Sequence, residues 1–357
     1  MPSQTTPPQL GPFSGDWSLW LRHALSGQPD PVRIEVGKWL KEHAASDAEV
    51  SLSRLLAKGK ITAVDQLVGG LLNCGANPME PTADGTTPLM AAALRGDLKS
   101  VELLLPASDA KAVDNKGFTA LIHAARFGQD DCARALIPSS DTRAKDNLGN
   151  VALVWAARFG SAECVTALLP SLSDWAAEEA KERAGQAMGW AASLGYGACV
   201  ELLLPHGGAR WVDSAGKTPL MMAAQASDAE SVKLLIPQSD AQAVDQDGRN
   251  ALSWATEIAN STLCFEALLP VCDAMALDRE GRDVFAMAME CDALGHADLL
   301  ADRVPIERLQ EAVFHAPDTA MPRARALIER AELTVAVESR EEAGFAPPHE
   351  RRRASRL

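Results

Sequence analysis

The stretch DNKGFTALIHAARFG at residues 114–128 is repeated with changes along the chain, as DNLGNVALVWAARFG (146–160), DSAGKTPLMMAAQAS (213–227) and DQDGRNALSWATEIA (245–259). Each copy contains one turn glycine, and the same glycine can be followed through six positions: Gly85, Gly117, Gly149, Gly216, Gly248 and Gly281. Successive members lie 32, 32, 67, 32 and 33 residues apart, and the long step divides into 35 and 32 if Ala184 stands at the glycine position of a degenerate copy. A constant period in this range indicates an array of stacked structural repeats.

A series of prolines keeps the same period independently of the glycines. Its steps are 32, 32, 35, 32 and 33 residues, and its members are Pro106, Pro138, Pro170, Pro205, Pro237 and Pro270. Asp-x-x-Gly is typical of a turn, and Leu121, Ala124 and Ala125 share one helical face. Each proline disfavours helix in the residue before it, and so ends a second helix. Every repeat is therefore predicted to be a turn followed by two helices, which makes the chain an all-α solenoid of stacked helix-turn-helix units.

The core of two repeats resembles a known family. Thr-Pro-Leu followed by Ala-Ala, at 87–93 and 218–224, is similar to the Thr-Pro-Leu-His-x-Ala core of ankyrin repeats. The segment LNCGANP at 72–78 is similar to the end of an ankyrin unit. The resemblance covers about residues 48–303 and implies an ankyrin-repeat solenoid closed by helical caps.

Two features depart from that family. The period is mostly 32 residues, because Pro-x-Ser-Asp, as at 106–109, replaces the longer Gly-Ala-Asp turn. The His of the motif is absent from its place, which is occupied by Met90, Ile122, Val154, Gly189, Met221 and Ser253. The second departure calls into question the turn-to-turn hydrogen bonding usual in the family, and it leaves the fold prediction unchanged.

The chain is predicted to contain five segments. Its Pro-, Gly- and Thr-rich start is typical of disorder, and solenoids need atypical end units that shield the last apolar face. The segments are a disordered N-terminus at 1–15, an N-terminal helical cap at 16–47, the ankyrin-repeat array at 48–303, a C-terminal helical cap at 304–337 and a flexible charged tail at 338–357. Two helices are expected in the C-terminal cap, at 305–314 and 318–337.

The bulk composition bears on partner and location. The formal net charge is -14 and the pI about 5.0, which argues against nucleic-acid binding and favours a neutral or basic partner. No run of about 18 apolar residues is present, so no membrane span is expected. The start, MPSQTTPPQL, has neither the basic nor the apolar region of a signal peptide. A cytoplasmic location is predicted, with secretion by an unrecognised route left open.

The cysteines follow the repeat. Cys132, Cys164, Cys199 and Cys264 fall at one repeat position, where stacked helices place them ~8–10 Å apart. Disulfide geometry requires Cα atoms within ~7 Å. We therefore expect a buried and reduced ladder of thiols.

The sequence contains no recognisable catalytic or metal-binding pattern. No His has a Cys or His partner at metal-ligand spacing. Gly216-Lys217-Thr218 imitates the end of a phosphate-binding loop, but Trp211 stands where the first glycine of that loop is required. We predict a protein that is not an enzyme and that uses no cofactor or metal.

The candidate binding surface is the exposed side of the first helices, which lines the partner groove in ankyrin arrays. Aromatic side chains and Arg, the residues that dominate interface hot spots, recur at the sixth, ninth and tenth positions after the repeat glycine. With Phe118, which directly follows a turn glycine, the predicted partner-binding set is Phe118, His123, Arg126, Phe127, Trp155, Arg158, Phe159, Trp190, Leu194 and Trp254. Packing between neighbouring first helices is an equal alternative for the rings at the sixth position, whereas Phe127 and Phe159 are expected to be exposed.

These patterns predict a non-catalytic protein–protein interaction scaffold that binds through its concave ankyrin surface. The partner is a protein that the sequence does not name, and the chain is expected to be a monomer or part of a hetero-complex. The alternative is a regulatory, inhibitory or assembly subunit, such as a bacterial or phage factor acting on a host target. A small-molecule or nucleic-acid receptor is disfavoured by the charge and by the open shape expected of a solenoid.

Overall fold

The computed structural model describes residues 68, 72, 77–258, 262–301, 303–315 and 321–342, and the regular secondary structure of these residues is entirely helical. Single 3₁₀ segments follow four of the helices, at Leu105–Ala107, Ile137–Ser139, Leu169–Asp174 and Leu204–His206. The α-helices are α1 (Pro88–Arg95), α2 (Leu98–Leu104), α3 (Ala120–Arg126), α4 (Asp130–Leu136), α5 (Ala152–Arg158), α6 (Ala162–Leu168), α7 (Ala177–Ser193), α8 (Gly197–Leu203), α9 (Pro219–Gln225), α10 (Ala229–Leu235), α11 (Ala251–Thr256), α12 (Thr262–Leu268), α13 (Val284–Glu290), α14 (Leu294–Leu300), α15 (Ile306–His315) and α16 (Met321–Glu342). The all-α fold prediction is confirmed, since the helices alternate with turns at the predicted period.

The chain divides into two compact units, 1–187 and 188–357, which we call unit 1 and unit 2. In unit 1 the first helices α1, α3 and α5 pack side by side in one layer, and the second helices α2, α4 and α6 form the other layer. In unit 2 the first layer contains α9, α11, α13 and α15, and the second contains α8, α10, α12 and α14. Each unit is therefore a two-layered stack in which a repeat contacts its immediate neighbours.

Small side chains allow the first helices to pack closely. Leu121, Ala124 and Ala125 are fully buried on α3, and Ala156 and Ala157 take the same positions on α5. Alanine has the highest helix propensity, and its small side chain lets neighbouring helices approach. The core of each stack is built mainly from these Ala and Leu positions.

The turns are organised by an aspartate. In the turn before α3, one oxygen of Asp114 accepts hydrogen bonds from the backbone N–H groups of Lys116 (2.9 Å) and Phe118 (2.8 Å). Gly117 adopts a φ of 78° there, and a Cβ at this position would lie 2.9 Å from the backbone nitrogen of Asn147 in the next turn. Only glycine satisfies both the left-handed backbone and this close approach.

Hydrogen bonds join successive turns although the family's His is missing. The Asn115 N–H donates to the Asp84 carbonyl at 3.0 Å, and the Asn147 N–H donates to the Lys116 carbonyl at 3.0 Å. The Asn147 side-chain amide adds a bond to the Asn115 carbonyl at 3.0 Å. Turn-to-turn bonding, which the missing His had called into question, is thus present and is made by backbone amides and Asn side chains.

The predicted segment boundaries stay predictions, although the structure bears on parts of them. The predicted disordered N-terminus (1–15) and N-terminal cap (16–47) lie outside the described residues. Helices α15 and α16 fall in the region predicted as the C-terminal cap, and α15 packs against α13. Helix α16 continues to Glu342, five residues into the segment predicted as flexible tail.

Candidate functional site

Three of the turn aspartates bind a ring N–H nine residues further along the chain. The second carboxylate oxygen of Asp146 accepts from the Trp155 indole at 2.8 Å, and that of Asp245 accepts from the Trp254 indole at 2.9 Å. The corresponding oxygen of Asp114 lies 3.1 Å from Nε2 of His123. These contacts hold each sixth-position ring against the turn that precedes its own helix.

Burial decides between the two alternatives for these rings. Trp155 and Trp254 are only 6% and 7% exposed, and His123 and Phe118 are buried to a similar degree. The prediction that these four side chains are partner contacts is therefore corrected in one respect, because little of their surface is open to a partner. In unit 1, Phe118 packs against His123 and Trp155, and Trp155 in turn stacks on the exposed Phe159.

The surroundings of His123 favour its neutral form. Burial lowers the pKa of His123, and the positive charges of Arg126 and Lys116 also lower it, whereas the hydrogen bond to Asp114 opposes the shift. A neutral imidazole can still donate one N–H to Asp114. The aspartate–ring contact is therefore compatible with a neutral ring at all three sites.

Arg126 lies at the centre of the aromatic cluster in unit 1. Its guanidinium carbon is 5.1 Å from the ring centroid of Trp155, 5.3 Å from that of Phe118 and 5.4 Å from that of Phe127. The Phe118 and Trp155 rings meet edge to face at 5.5 Å. Cation–π contacts at this distance are attractive, so three rings fix the position of a half-buried guanidinium.

Phe127 and Phe159 project from this support, as predicted. Both are 49% exposed. Phe159 stacks on Trp155 with a centroid distance of 5.9 Å and an interplanar angle of 19°, and the guanidinium of Arg158 lies 5.2 Å from the Trp155 centroid. We call Arg126, Phe127, Arg158 and Phe159, together with the underlying Trp155, the Arg–Phe surface.

The predicted site residues of unit 2 have a different environment. Trp190 on α7 and Leu194, directly after the end of α7, are exposed. Trp254 is covered by two cations, since Nζ of Lys217 lies 3.3 Å and the guanidinium of Arg249 lies 5.1 Å from its ring centroid. Of the three unit 2 residues in the predicted set, Trp190 and Leu194 are thus open and Trp254 is enclosed.

Sequence reasoning missed the turn aspartates and the cations that cover Trp254. The signal was present as Asp-x-x-Gly followed by a ring nine residues after the Asp, in Asp114–His123, Asp146–Trp155 and Asp245–Trp254. Lys181 stands nine residues before Trp190, which distinguishes this tryptophan from the two buried ones. The spacing therefore separates enclosed rings from an open one.

The cysteine ladder has the environment expected of packed thiols. Cys132, Cys164, Cys199 and Cys264 are buried and free. Burial raises the pKa of Cys132 and Cys199 to about 11 and that of Cys164 to about 12. Thiols with such pKa values are poor nucleophiles at neutral pH.

The described part of the chain also bears on metal binding and membrane insertion. Among those residues, no group of three or more His, Cys, Asp or Glu side chains is placed to hold a metal ion. None of the helices described is both long and apolar enough to cross a membrane.

The two-layered stack of helix pairs, with its regular glycine turns, defines a helical repeat protein. The family model for ankyrin repeats (3 copies) matches residues 52–146, 107–178, 153–244, 188–278 and 220–307, which together cover more than half of the chain. The chain belongs to the ankyrin-repeat family. Ankyrin repeats are in general protein–protein interaction modules.

Comparison with known proteins adds to the fold and not to the function. No curated protein matches the chain. The crystal structure of the human ASB11 ankyrin repeat domain is similar with a TM-score of 0.52 and 22% identity, over 61% of this chain and 99% of that domain. At this identity the likeness supports the fold alone.

Proposed function

We propose that this chain is a non-catalytic scaffold that recognises a protein partner through the Arg–Phe surface of unit 1. The observation that carries the proposal is the pair of exposed rings, Phe127 and Phe159, held in place by buried aromatic residues and Arg126. A rigid support reduces the entropy lost on binding. Aromatic and Arg side chains in such a setting are typical of interface hot spots.

Unit 2 adds a second, separate candidate contact. Trp190 and Leu194 are exposed near the end of one helix. We assign them a supporting role, because the two exposed phenylalanine rings and the two arginines of the Arg–Phe surface offer more of the side chains that dominate interface hot spots. Phe118, His123, Trp155 and Trp254 contribute by positioning.

The buried thiols support a proposal for the compartment. Cys132, Cys164 and Cys199 are buried single thiols with raised pKa values, and unpaired thiols favour a reducing compartment. We therefore propose a cytoplasmic role as a monomer or within a hetero-complex. A regulatory or assembly subunit would use the same repeat surface, and co-purification with one enzyme at fixed stoichiometry would favour that alternative.

The test is a pull-down from native lysate with mass spectrometry, using tagged full-length protein and the variant Phe127→Ala/Arg158→Ala/Phe159→Ala. We expect a near-stoichiometric partner that is lost in the triple variant. A matched control is Leu103→Ala, which removes an exposed apolar side chain from the second-helix layer of unit 1.

The outcomes separate clearly once far-UV circular dichroism shows that the variants are folded. Retention of the partner by the folded triple variant would move the interface away from the Arg–Phe surface. Absence of a partner from lysates of every source tried would count against recognition of a protein altogether.

A further inference from the structure

Opposite charge patterns distinguish the first helices of the two units. In unit 2 an Arg one residue after the repeat glycine pairs with a Glu nine residues after it, as in Arg249–Glu257 (3.0 Å) and Arg282–Glu290 (2.7 Å). In unit 1 the ninth position holds Arg126 and Arg158, and the first position holds the uncharged Phe118 and Asn150. The Arg–Glu pair that joins these two positions in unit 2 therefore cannot form between the same positions of these two repeats of unit 1.

The aspartates close to Arg126 are engaged elsewhere. Both oxygens of Asp114 are taken, one by two backbone amides and the other by His123. Both oxygens of Asp146 are likewise taken, by the amides of the turn and by Trp155. Among the described residues no carboxylate lies within ion-pair distance of Arg126, and its Nε is buried without a hydrogen-bond partner.

The guanidinium of Arg126 is thus positioned by rings and not by an acid. Rings accept no strong hydrogen bond, so the N–H donors of the guanidinium remain available to an incoming acceptor. Arginine matches a carboxylate through two parallel N–H···O bonds. The exposed rings of Phe127 and Phe159 border this donor group.

We propose that the partner segment seated on the Arg–Phe surface is acidic. A carboxylate of that segment pairs with the guanidinium of Arg126, and a neighbouring apolar side chain packs against Phe127 and Phe159. This inference rests on the proposed function and adds the chemistry of the partner to it.

The chain carries a net charge of -14, but the charge that a partner segment meets at the Arg–Phe surface is set by the residues nearby. Charges further away than about 8 Å are largely screened at physiological ionic strength. Arg126 and Arg158 are the charged residues of the Arg–Phe surface, and Lys116 lies close enough to act on the same His123 as Arg126. The neighbouring carboxylates of Asp114 and Asp146 are buried and hydrogen-bonded to ring and backbone N–H groups. The neutral or basic partner expected from the net charge is therefore replaced, at this surface, by an acidic one.

A nucleic acid is a poorer fit to the same groups. Phosphate backbones are held by many cations, each adding to affinity through counterion release. The Arg–Phe surface offers two arginines within an acidic chain. A short acidic protein segment needs only one or two such pairs.

The test uses the full-length protein to select binders from a displayed library of random short peptides. We expect the selected peptides to carry Asp or Glu beside Leu, Phe or Trp. The best of them is then synthesised with a fluorophore, together with a version in which each Asp and Glu is replaced by Asn and Gln. Fluorescence anisotropy should show about tenfold or greater weakening for the amide version, as for loss of a charge-assisted hydrogen bond.

The assignment to Arg126 is tested with matched charge variants. Arg126→Glu should remove the preference for the acidic peptide, while Arg134→Glu, the same change on an exposed residue of the second-helix layer of the same repeat, should leave it intact. Arg126→Lys keeps the charge and should retain a weakened preference, which covers the case in which Arg126→Glu does not fold. Thermal unfolding followed by circular dichroism checks each variant.

Each contrary result has a distinct meaning. Selected peptides that are basic or neutral, an amide version that binds equally well, or equal losses in Arg126→Glu and Arg134→Glu would overturn the acidic-segment proposal. Tighter binding of a single-stranded DNA probe, or displacement of the peptide by a second copy of this chain, would also overturn it. In these cases a partner captured from lysate and lost in the triple variant would leave the proposed function standing, whereas a library that yields no binder would overturn both.

Discussion

At the scale of single residues, Asp114, Asp146 and Asp245 each connect the backbone of a turn to a ring on the following helix. One oxygen accepts two backbone amides, and the other accepts from His or Trp. A buried carboxylate is tolerated because each oxygen is hydrogen-bonded. The same aspartate thus stabilises the turn and holds the ring of the following helix against it.

The environment of His123 predicts a dependence of stability on pH. Burial holds the pKa of the folded state below the ordinary 6.5, so the unfolded chain binds a proton at pH values where the folded chain does not. Stability is then fully present above pH 6.5 and is lost as the pH falls through the folded-state pKa, with a slope of at most about 1.4 kcal/mol per pH unit. His123→Trp, which installs the ring found at Trp155 and Trp254, should keep the Asp114 bond and reduce this loss.

Urea unfolding of wild type and His123→Trp from about pH 7.5 down to about pH 5 measures the effect. Asp114, Arg126 and Lys116 all face this ring, so the difference between the two proteins, and not the slope of either, is the quantity to compare. His206→Gln, at a half-buried position of unit 2, controls for loss of a His. Equal acid sensitivity of wild type and His123→Trp would show that His123 is not the responsible group.

At the scale of the elements, the first helices differ in how their N-termini are capped. The Thr119 hydroxyl accepts from the Ile122 N–H at 3.2 Å at the start of α3. Val151 stands at the same position before α5 and makes no side-chain cap. In α1 and α9 the position is Thr again, followed by proline at the first helical residue. The cap of α5 is therefore the exception among these helices.

Exchange of these two caps should change stability in opposite directions. Thr119→Val removes the acceptor of the Ile122 N–H and should destabilise the protein by about 1 kcal/mol. Val151→Thr offers a side-chain acceptor to the Val154 N–H, which now donates to the Val151 carbonyl at 3.1 Å, so it should stabilise the protein by less than about 1 kcal/mol. Both side chains have nearly the same shape and both positions are buried, so each variant serves as the control for the other. Chemical denaturation at neutral pH measures the free energies; a loss of stability in Val151→Thr would mean that burial of the hydroxyl outweighs the cap.

Element boundaries were largely predictable because their signals are local. Thr-Pro at the start of α1 and Leu-Leu-Pro at the end of α2 fix the helix ends in the sequence itself. Helix α16 continues to Glu342, whereas the sequence predicts a helix at 318–337, and no proline or glycine lies between Pro322 and Gly344 to mark its end. The charged residues from 338 onwards led to the prediction of a flexible tail, although such a composition is also compatible with a helix.

At the scale of the whole molecule, each unit is built from contacts between neighbouring repeats. First helices contact the next first helix, and second helices contact the next second helix. Stability in such an array is a sum of repeat terms and nearest-neighbour interface terms. A destabilising substitution in one repeat should accordingly lower the local stability most in that repeat and less in repeats further along the stack.

Hydrogen exchange can test this locality. Asp245→Ala removes the acceptor of the Trp254 indole and of two turn amides, a loss of about 1–3 kcal/mol for a buried donor left unsatisfied. Exchange should rise most in α11 and α12, less in α9, α10, α13 and α14, and remain unchanged in α3 and α4. Asp247→Ala, which removes an exposed carboxylate from the same turn, should change little, and a uniform rise throughout the chain would instead indicate a single cooperative unit.

The sequence by itself determined the repeat, the alternation of turns and helix pairs, and the family, because each rests on short motifs that recur at a nearly constant step along the chain. It also placed Phe127 and Phe159 correctly on the exposed side of their helices. Only the tertiary structure decided which of the other candidates a partner can reach. Trp155 and Trp190 occupy the same repeat position, yet Trp155 is enclosed and Trp190 is open.

The physical reason is that exposure depends on what surrounds a side chain in space. Trp155 is enclosed by Asp146, Phe118 and Arg126, residues contributed by two turns and a neighbouring helix. The tertiary structure likewise shows that the oxygens of the nearby aspartates bind turn amides and ring N–H groups, so that among the described residues none of these aspartates forms an ion pair with Arg126. The net charge of the chain can be counted from the sequence, whereas the burial and hydrogen bonding of the aspartates depend on the tertiary structure.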